Sequence, residues 1–531
     1  MPEVNISPAL AVQRHARCQG DATALVYGPE RISYAEFDAQ AATLAAMLAA
    51  GGVGRGERVA YLGLNSPALL TTFLACARLG AVFVPVNHRL TEHETALVLD
   101  DCTPAALVCE EGRRELTATL AAHAFVLHVG DRPGQRWLPA SASGSDTSPT
   151  PQPRPLAEAD LAALLYTSGS TGRPKGVMLT HGNLWWNQVN VCAMVDSRLQ
   201  DTTLAVAPMF HIGGLNALTL GTLVRGGTVV VHRGFDPQQC LTDLQTHRVS
   251  GVFAVPAMFA ALAALPGFAE ADLSALRTAV VAGAPVPPSL IRRYAEHGVL
   301  LQQAWGLTET APFATYLPPG AALAKLGSAG LPMPYTELRV VAPDTAADAG
   351  PHVRGELWVR GPNVTKGYWN NPRAGAEAFT QDGWFRTGDV GYLDDDGYLY
   401  VVDRVKDVII TGGENVYPSE VEHVLAELPG VSGVAVVGRP DDHWGEAVTA
   451  VLSLARNTAE TPTLESVRTF AGHRLARYKL PTELAVLDRI PRNGSGKIDK
   501  PLLRRRLADW RTASPGEACV ATGLAGADQL S

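Results

Sequence analysis

The chain has 531 residues, of which 46% are apolar and 18% charged, and its formal net charge is −8. A chain of this length outgrows one compact core, so two or more domains are expected. The composition is globular, and the acidic balance lacks the basic footprint of a nucleic-acid-binding protein.

In chain order, residues 58–62 read as a strand, 67–79 as a helix and 82–86 as the next strand, with further strands at 104–109 and 124–129. This alternation predicts a mainly parallel sheet with helices on its faces. Residues 139–155 are rich in Ser, Pro, Thr and Gly and read as a long surface loop. An apolar run at 161–165 is a buried strand. From residue 201 the alternation resumes, with strands at 204–207, 228–232, 251–255, 278–282 and 300–303 and helices at 237–247 and 288–297. Residues 204–224 carry no Asp, Glu, Lys or Arg but include Pro208, His211, Gly213, Gly214 and Gly221. They read as a strand, a loop and a buried helix, not as a membrane span.

From 330 to 402 the pattern turns β-rich. Asp394-Asp395-Asp396-Gly397 between two apolar runs is a hairpin signal. Beyond 407 come a helix at 418–428, strands at 434–437 and 448–452, a helix at 463–475 and a strand at 484–487. The expected fold class is α/β. A large N-terminal domain of layered α/β subdomains with a small antiparallel β unit spans 1–402. A small α+β C-terminal domain spans 408–512, and 513–531 is a disordered tail. Cys18, Cys76, Cys102, Cys109, Cys192, Cys240 and Cys519 show no metal-ligand spacing, which predicts free thiols in a reducing compartment. Residues 1–18 lack the apolar core of a signal peptide, so a cytoplasmic protein without an integral membrane segment is expected. Nothing in the sequence decides between a monomer and a homodimer.

The chemistry-bearing stretch is Tyr166-Thr167-Ser168-Gly169-Ser170-Thr171-Gly172-Arg173-Pro174-Lys175-Gly176. Glycines let backbone N–H groups approach a phosphate, hydroxyls add donors, and Lys175 supplies a point charge. It is not a Walker loop, because Gly176 stands where that motif needs Ser or Thr. By composition alone it is either a phosphate cradle or a flexible turn between strands.

This string closely resembles the signature loop of the adenylate-forming enzymes, the group that includes acyl-CoA synthetases. Further segments resemble that family's motifs in the same order. They are Ala207-Pro208-Met209-Phe210-His211, Ala282-Gly283-Ala284-Pro285, Ala304-Trp305-Gly306-Leu307-Thr308-Glu309-Thr310 and Phe385-Arg386-Thr387-Gly388-Asp389. After these come Asp403-Arg404-Val405-Lys406-Asp407, residues 411–422, and Pro491-Arg492-Asn493-Gly494-Ser495-Gly496-Lys497. The resemblance implies an AMP-forming ligase using ATP, Mg²⁺ and coenzyme A on a small carboxylic acid. It also implies that the C-terminal domain is mobile and turns about a hinge at 403–407, centred on Lys406.

The implied roles follow the motifs. Thr167, Ser168, Gly169, Ser170, Thr171, Gly172 and Lys175 cradle the phosphates, and Gly283, Ala284, Pro285, Trp305 and Gly306 surround the adenine. Thr308 and Glu309 form the catalytic turn, with Glu309 as metal ligand or, more plainly, a helix-start carboxylate. Asp389 holds ribose hydroxyls or is a turn aspartate; Arg404 contacts the nucleotide or pairs with Asp403 or Asp407. Trp305 stacks on the base or is a core tryptophan. His211 lies by the substrate carboxylate or is a satisfied core histidine. Lys497 bridges carboxylate and phosphate in catalysis, and Gly412 and Gly413 line the CoA tunnel.

His211, Gly213, Gly214 and Ala304 are expected to line the acid pocket. Small residues there predict space beyond the carboxylate, hence a medium- or long-chain fatty acid or another bulky apolar acid; an aromatic acid of the cinnamate, ferulate or benzoate type is the alternative. Loading of a carrier protein is a more remote one, because Phe210-His211-Ile212 lacks the aspartate that holds an α-amino group. Intact Lys175, Glu309, Asp389 and Lys497 argue against a binding protein that has lost catalysis.

Overall fold

The run Arg58–Leu62, the helix Pro67–Leu79 and the strand Val82–Val86 build the first parallel unit. Pro67 suits a first helical turn, where an N–H would lack a partner. Gly80 ends the helix at φ +70°, a conformation that a side chain disfavours. Every residue of this helix is buried, which is why its sequence is apolar all round.

The computed structural model describes residues 5–115, 124–130, 132–133, 135, 155–168, 174–342, 347–411, 414–441, 444–455, 458, 460–493 and 497–510. Within them the chain is a mixed α/β protein with a large N-terminal and a smaller C-terminal domain. Contact density separates two units. The first comprises Met1–Arg339, Trp358–Thr387 and Leu393–Tyr400, and the second the remainder, chiefly from Val401 onward.

In the first unit a six-stranded sheet runs in the order Phe125–Val129, Ala106–Glu110, Arg58–Leu62, Val82–Val86, Leu161–Ser168, Pro174–Thr180. Only the last pair is antiparallel. A nine-stranded sheet runs Leu331–Pro332, Phe313–Tyr316, Leu301–Gly306, Thr278–Val281, Gly251–Ala254, Thr202–Ala205, Thr228–Val231, Thr23–Tyr27, Glu30–Ser33. The strands from Leu301–Gly306 to Thr23–Tyr27 are parallel, so the loops after their C-terminal ends share one edge, the usual place for a ligand in such sheets. One apolar core holds Leu25 and Val229 of this sheet, Val59 and Phe83 of the other, and Phe37 and Phe73 of the helices Tyr34–Ala50 and Pro67–Leu79. That common core is the expected layered arrangement.

The stretch 204–224 opens on the end of the strand Thr202–Ala205 and a loop, as expected, but the single buried helix expected after them is two short helices, Ile212–Asn216 and Thr219–Val224. The chain turns at Ala217-Leu218 between them, and Thr219 Oγ1 donates to Gly214 O at 2.8 Å. Among the described residues no helix is long and apolar enough to cross a membrane. Strands Glu337–Val341, Gly355–Arg360, Phe385–Leu393 and Leu399–Arg404 form a four-stranded sheet. Its Phe385–Leu393/Leu399–Arg404 hairpin carries the expected Asp-rich turn.

In the second unit a sheet orders Glu414–Val416, Ile409–Thr411, Gly445–Leu454 and Val431–Asp441, with Glu483–Val486 pairing Gly445–Leu454. Side chains alternate across it. Val436, Val448, Ala450 and Leu452 join the core under helices Pro418–Leu425 and Leu464–Gly472. Ala435, Val437 and Val451 join Leu503 and Leu507 of the helix Lys500–Trp510. The period of two thus covers both faces of one sheet. The surface-loop reading of 139–155, all but its last residue, and the disordered-tail reading of 513–531 lie outside the described residues. All described cysteines are free thiols.

Candidate active site

The stretch that reads as a phosphate cradle has its described parts on two paired strands of the six-stranded sheet. Leu161–Ser168 and Pro174–Thr180 pair antiparallel, with Thr167 opposite Lys175. The segment between them, with Gly169, Ser170, Thr171 and Gly172, lies outside the described residues. The far strand is gripped from its other side: Met178 N–H donates to Gly367 O at 3.1 Å, and Trp369 N–H to Gly176 O at 2.8 Å. Gly176 lies close under the Tyr166 ring, where a Cβ would stand 3.0 Å from it. The Lys175 ammonium lies over the Tyr368 ring, 5.4 Å from its centroid.

The strand Leu301–Gly306 delivers the next group. It runs into a 3₁₀ turn, Thr308–Thr310, that carries Glu309 half-exposed. Gly306 is the only residue type that fits there, since a Cβ would lie 1.9 Å from Pro312 O. Residues 363–368 hold this turn. Thr365 N–H donates to Glu309 O at 2.7 Å, and the Tyr368 hydroxyl to Glu309 Oε1 at 2.9 Å. Asn363 Nδ2 donates to Thr310 O and Phe313 O, both at 2.9 Å. Trp305, 9% exposed, sits at the end of the same strand. Gly283, Ala284 and Pro285 follow the strand Thr278–Val281 and are exposed, with Gly283 at φ +89°.

The segment read as the acid side is Ala207–His211. Asn65 is buried and spans this loop, donating to Ala207 O at 3.0 Å and accepting from Met209 N–H at 2.8 Å. Phe210 lies between two imidazoles, with ring centroids 4.3 Å from His211 and 5.2 Å from His88. Burial, with Arg113, Arg89 and Arg233 nearby, pushes the His88 pKa down to about 4, so its ring is neutral at physiological pH. Asn216, in the following helix Ile212–Asn216, donates to Ala311 O at 2.6 Å, just after the Thr308–Thr310 turn.

The expectation of open space beyond Gly213 and Gly214 is corrected here. A Cβ on Gly214 would meet Pro208 O at 2.3 Å, so this glycine serves backbone packing. A Cβ on Gly213 would meet the Phe253 ring at 2.7 Å, so a side chain already occupies that space. Phe253, partly exposed at the end of the strand Gly251–Ala254, packs on the cluster of Ala282, Ala304 and Phe313. Its ring centroid is 6.1 Å from that of Phe313. Ala304 is buried in the same apolar cluster that Phe253 packs against.

In the second unit Asp389 is buried and its Oδ1 lies 2.5 Å from Arg404 Nε. Arg404 thus pairs with neither Asp403 nor Asp407. Asp403 instead accepts from the N–H groups of Arg404 and Ser419, at 2.8 Å each. Asp407 pairs with Arg504 at 2.9 Å, while Lys406 beside it is exposed. Lys497 is exposed at the foot of a closed turn, in which its N–H donates to Asn493 Oδ1 at 3.1 Å and Asn493 N–H donates to Lys497 O at 2.8 Å. Gly412, Gly413 and residues 494–496 lie outside the described residues.

Residues 12–369 match the family described as AMP-binding enzyme, and 420–497 match the AMP-binding enzyme C-terminal domain. This chain is an AMP-binding enzyme. It is 45% identical over 494 residues to a feruloyl-CoA synthase from Amycolatopsis sp, covering 93% of this chain and 97% of that one. It is 41% identical over 515 residues to an indoleacetate–CoA ligase from Aromatoleum aromaticum, covering 94% and 97%. Its structure resembles o-succinylbenzoate CoA synthetase from Bacillus subtilis in complex with its acyl-adenylate intermediate, with a TM-score of 0.85, 32% identity and coverage of 97% and 100%. The same Bacillus enzyme in complex with ATP and magnesium ion gives a TM-score of 0.81 at 32% identity, covering 94% and 99%. The AMP-binding enzyme is thus an acid–CoA ligase of the adenylate-forming superfamily, with ATP, Mg²⁺ and CoA as its reactants and cofactor.

The donor set of this AMP-binding enzyme fits a magnesium that arrives on ATP. Among the described residues no cluster of three or more His, Cys, Asp or Glu forms a metal cage. Glu309 offers one half-exposed carboxylate, and Mg²⁺ ordinarily takes one or two carboxylates plus water and substrate phosphates. Sequence reading missed Tyr368, Asn363, Asn65 and Phe253. An aromatic residue ending a buried strand was the one available signal for Phe253; the others belong to no stretch that residue type alone marks out.

Proposed function

We propose that this ligase activates an aromatic or arylalkanoic acid, with fatty acids as poorer substrates. The observation that carries this reading is the Phe253 ring seated against Gly213, two residues from His211, with Phe313 beside it. A planar ring packs well against the partly exposed Phe253, which the buried Phe313 backs, and such a pair contributes about 0.5–1.5 kcal/mol beyond area burial. A long alkyl chain would need the space that Phe253 fills. The relatives that act on ferulate and indoleacetate support the same reading.

In this reading the acid carboxylate attacks the α-phosphate of ATP beside His211, and pyrophosphate leaves. Lys175 and the hydroxyl of Thr167 hold phosphate oxygens, and Glu309 would hold the Mg²⁺ that arrives with ATP and would neutralise triphosphate charge. Asp389, oriented by Arg404, accepts from the ribose hydroxyls, and Trp305 and residues 283–285 border the adenine. Lys497 stabilises the charge that develops at the reacting phosphate. The CoA thiol then attacks the acyl carbonyl, passing Gly412 and Gly413, and AMP leaves. Free thiols at the described cysteines support a reducing, cytoplasmic setting.

The test is kcat/KM for ferulate, cinnamate and indoleacetate against straight-chain acids of increasing length, read by pyrophosphate release. The expected result is at least a tenfold preference for the best aromatic acid. Efficiency that rises steadily with chain length would overturn it. Phe253→Ala should narrow the preference, because the aromatic wall is removed.

A further inference from the structure

Tyr368 touches both charged groups that the proposed function sets around the triphosphate. Its hydroxyl donates to Glu309 Oε1 at 2.9 Å, and its ring lies under the Lys175 ammonium, 5.4 Å from the centroid. Neither contact is incidental, because the backbone on each side is fixed. Tyr368 forms a β-bridge with Val177, two residues from Lys175, and its neighbours Gly367 and Trp369 exchange hydrogen bonds with Met178 and Gly176. Gly367 turns the chain at φ +132°, which presents the ring to the hairpin. On the other side Thr365 holds the Glu309 backbone, and Asn363 ties down the residues after it.

The Glu309 carboxylate on its 3₁₀ turn and the Lys175 ammonium on its strand share Tyr368 as a neighbour and attract each other, and closing that pair would remove both from a ligand. A phenol answers each with a different part of itself. The hydroxyl dipole satisfies one carboxylate oxygen of Glu309, and the ring face attracts the Lys175 cation. Tyr368 is only partly buried, so its hydroxyl is not needed to satisfy the core.

We propose that Tyr368 is a positioning residue for metal-bound ATP, holding the Glu309 carboxylate in its ligand direction and keeping Lys175 apart from it. This rests on the reading in which Glu309 takes the magnesium and Lys175 the phosphates. The conservative change Tyr368→Phe keeps the ring under Lys175 and removes only the hydroxyl.

The experiment is calorimetric titration of the full chain with ATP, with and without Mg²⁺ and without acid, for Tyr368→Phe, Glu309→Gln and the double variant. Tyr368→Phe should weaken Mg·ATP binding by about tenfold, the value of one hydrogen bond to a charged group. Metal-free ATP binding should be unchanged. In the Glu309→Gln background the Phe substitution should add nothing, which a general structural role would not produce. Normal Mg·ATP affinity in Tyr368→Phe, with weakened affinity in Glu309→Gln, overturns the role of Tyr368 and leaves the metal reading standing. Normal affinity in both overturns the two together. Equal losses with and without metal, or additive losses in the double variant, also overturn it.

Discussion

Arg504 Nη2 lies 2.9 Å from Asp407 Oδ1, so the helix that follows the Lys497 turn is tied to the segment holding Lys406. The Asp407 carboxylate is largely buried and the Arg504 guanidinium about two-thirds so. Arg504→Ala therefore leaves a carboxylate with little solvent in place of its partner. The expected loss is about 1–2 kcal/mol, measured by denaturant unfolding of the full chain. Arg504→Lys should recover part of it, and an unchanged unfolding midpoint in Arg504→Ala would remove the pair from any structural role.

Lys497 stands exposed with its backbone fixed by Asn493. A group that stabilises charge only at the reacting phosphate belongs to one half-reaction. Lys497→Ala should lower acid-dependent pyrophosphate release by about two to three orders of magnitude. It should still convert a synthetic acyl-adenylate and CoA into thioester. Equal loss of both steps would refute the division.

Gly213 and Gly214 should respond differently to alanine. At Gly214 the new Cβ meets backbone at 2.3 Å, which cannot move without the whole loop. Gly214→Ala should lose about 1–3 kcal/mol of stability, the usual range for overpacking. At Gly213 the obstacle is the Phe253 ring, which can turn. Gly213→Ala should fold normally and depress kcat/KM for the bulkiest acids first. Similar melting temperatures for the two variants would contradict this.

Acid should weaken the fold through His181. Burial pushes its pKa down to about 4, and its Nε2 has no hydrogen-bond partner among the described residues. The unfolded chain takes up a proton near pH 6.5, whereas the folded protein resists until about pH 4. Stability therefore falls as pH drops from 6.5 towards 4, by an amount on the order of 3 kcal/mol. His181→Gln should flatten that part of the stability–pH curve, and an unaltered slope would exclude His181 as its source.

Residue type and order alone determined the family, the α/β class and most elements. The strands Arg58–Leu62 and Val82–Val86 and the helix Pro67–Leu79 were legible to the residue, because mainly apolar runs there end at Gly63, Asn87 and Gly80. The strand Pro174–Thr180 was not, because its β-character comes from pairing with Leu161–Ser168 and from Gly367 and Trp369, far along the chain.

Strand order was also invisible. Thr23–Tyr27 inserts beside Thr228–Val231, a pairing of period-two surfaces that neither segment announces alone. The site shows the same division. Lys175, Glu309, Asp389 and Lys497 could be named from motifs, because the proposed chemistry requires those residue types in those places. What touches them could not be. Arg404 chose Asp389 over its sequence neighbours Asp403 and Asp407. Phe253 filled the space that Gly213 seemed to leave, and Tyr368 met both Lys175 and Glu309. Those contacts join residues that are 15 to 193 positions apart, and only the packing of sheets and loops in three dimensions brings such side chains within reach of one another.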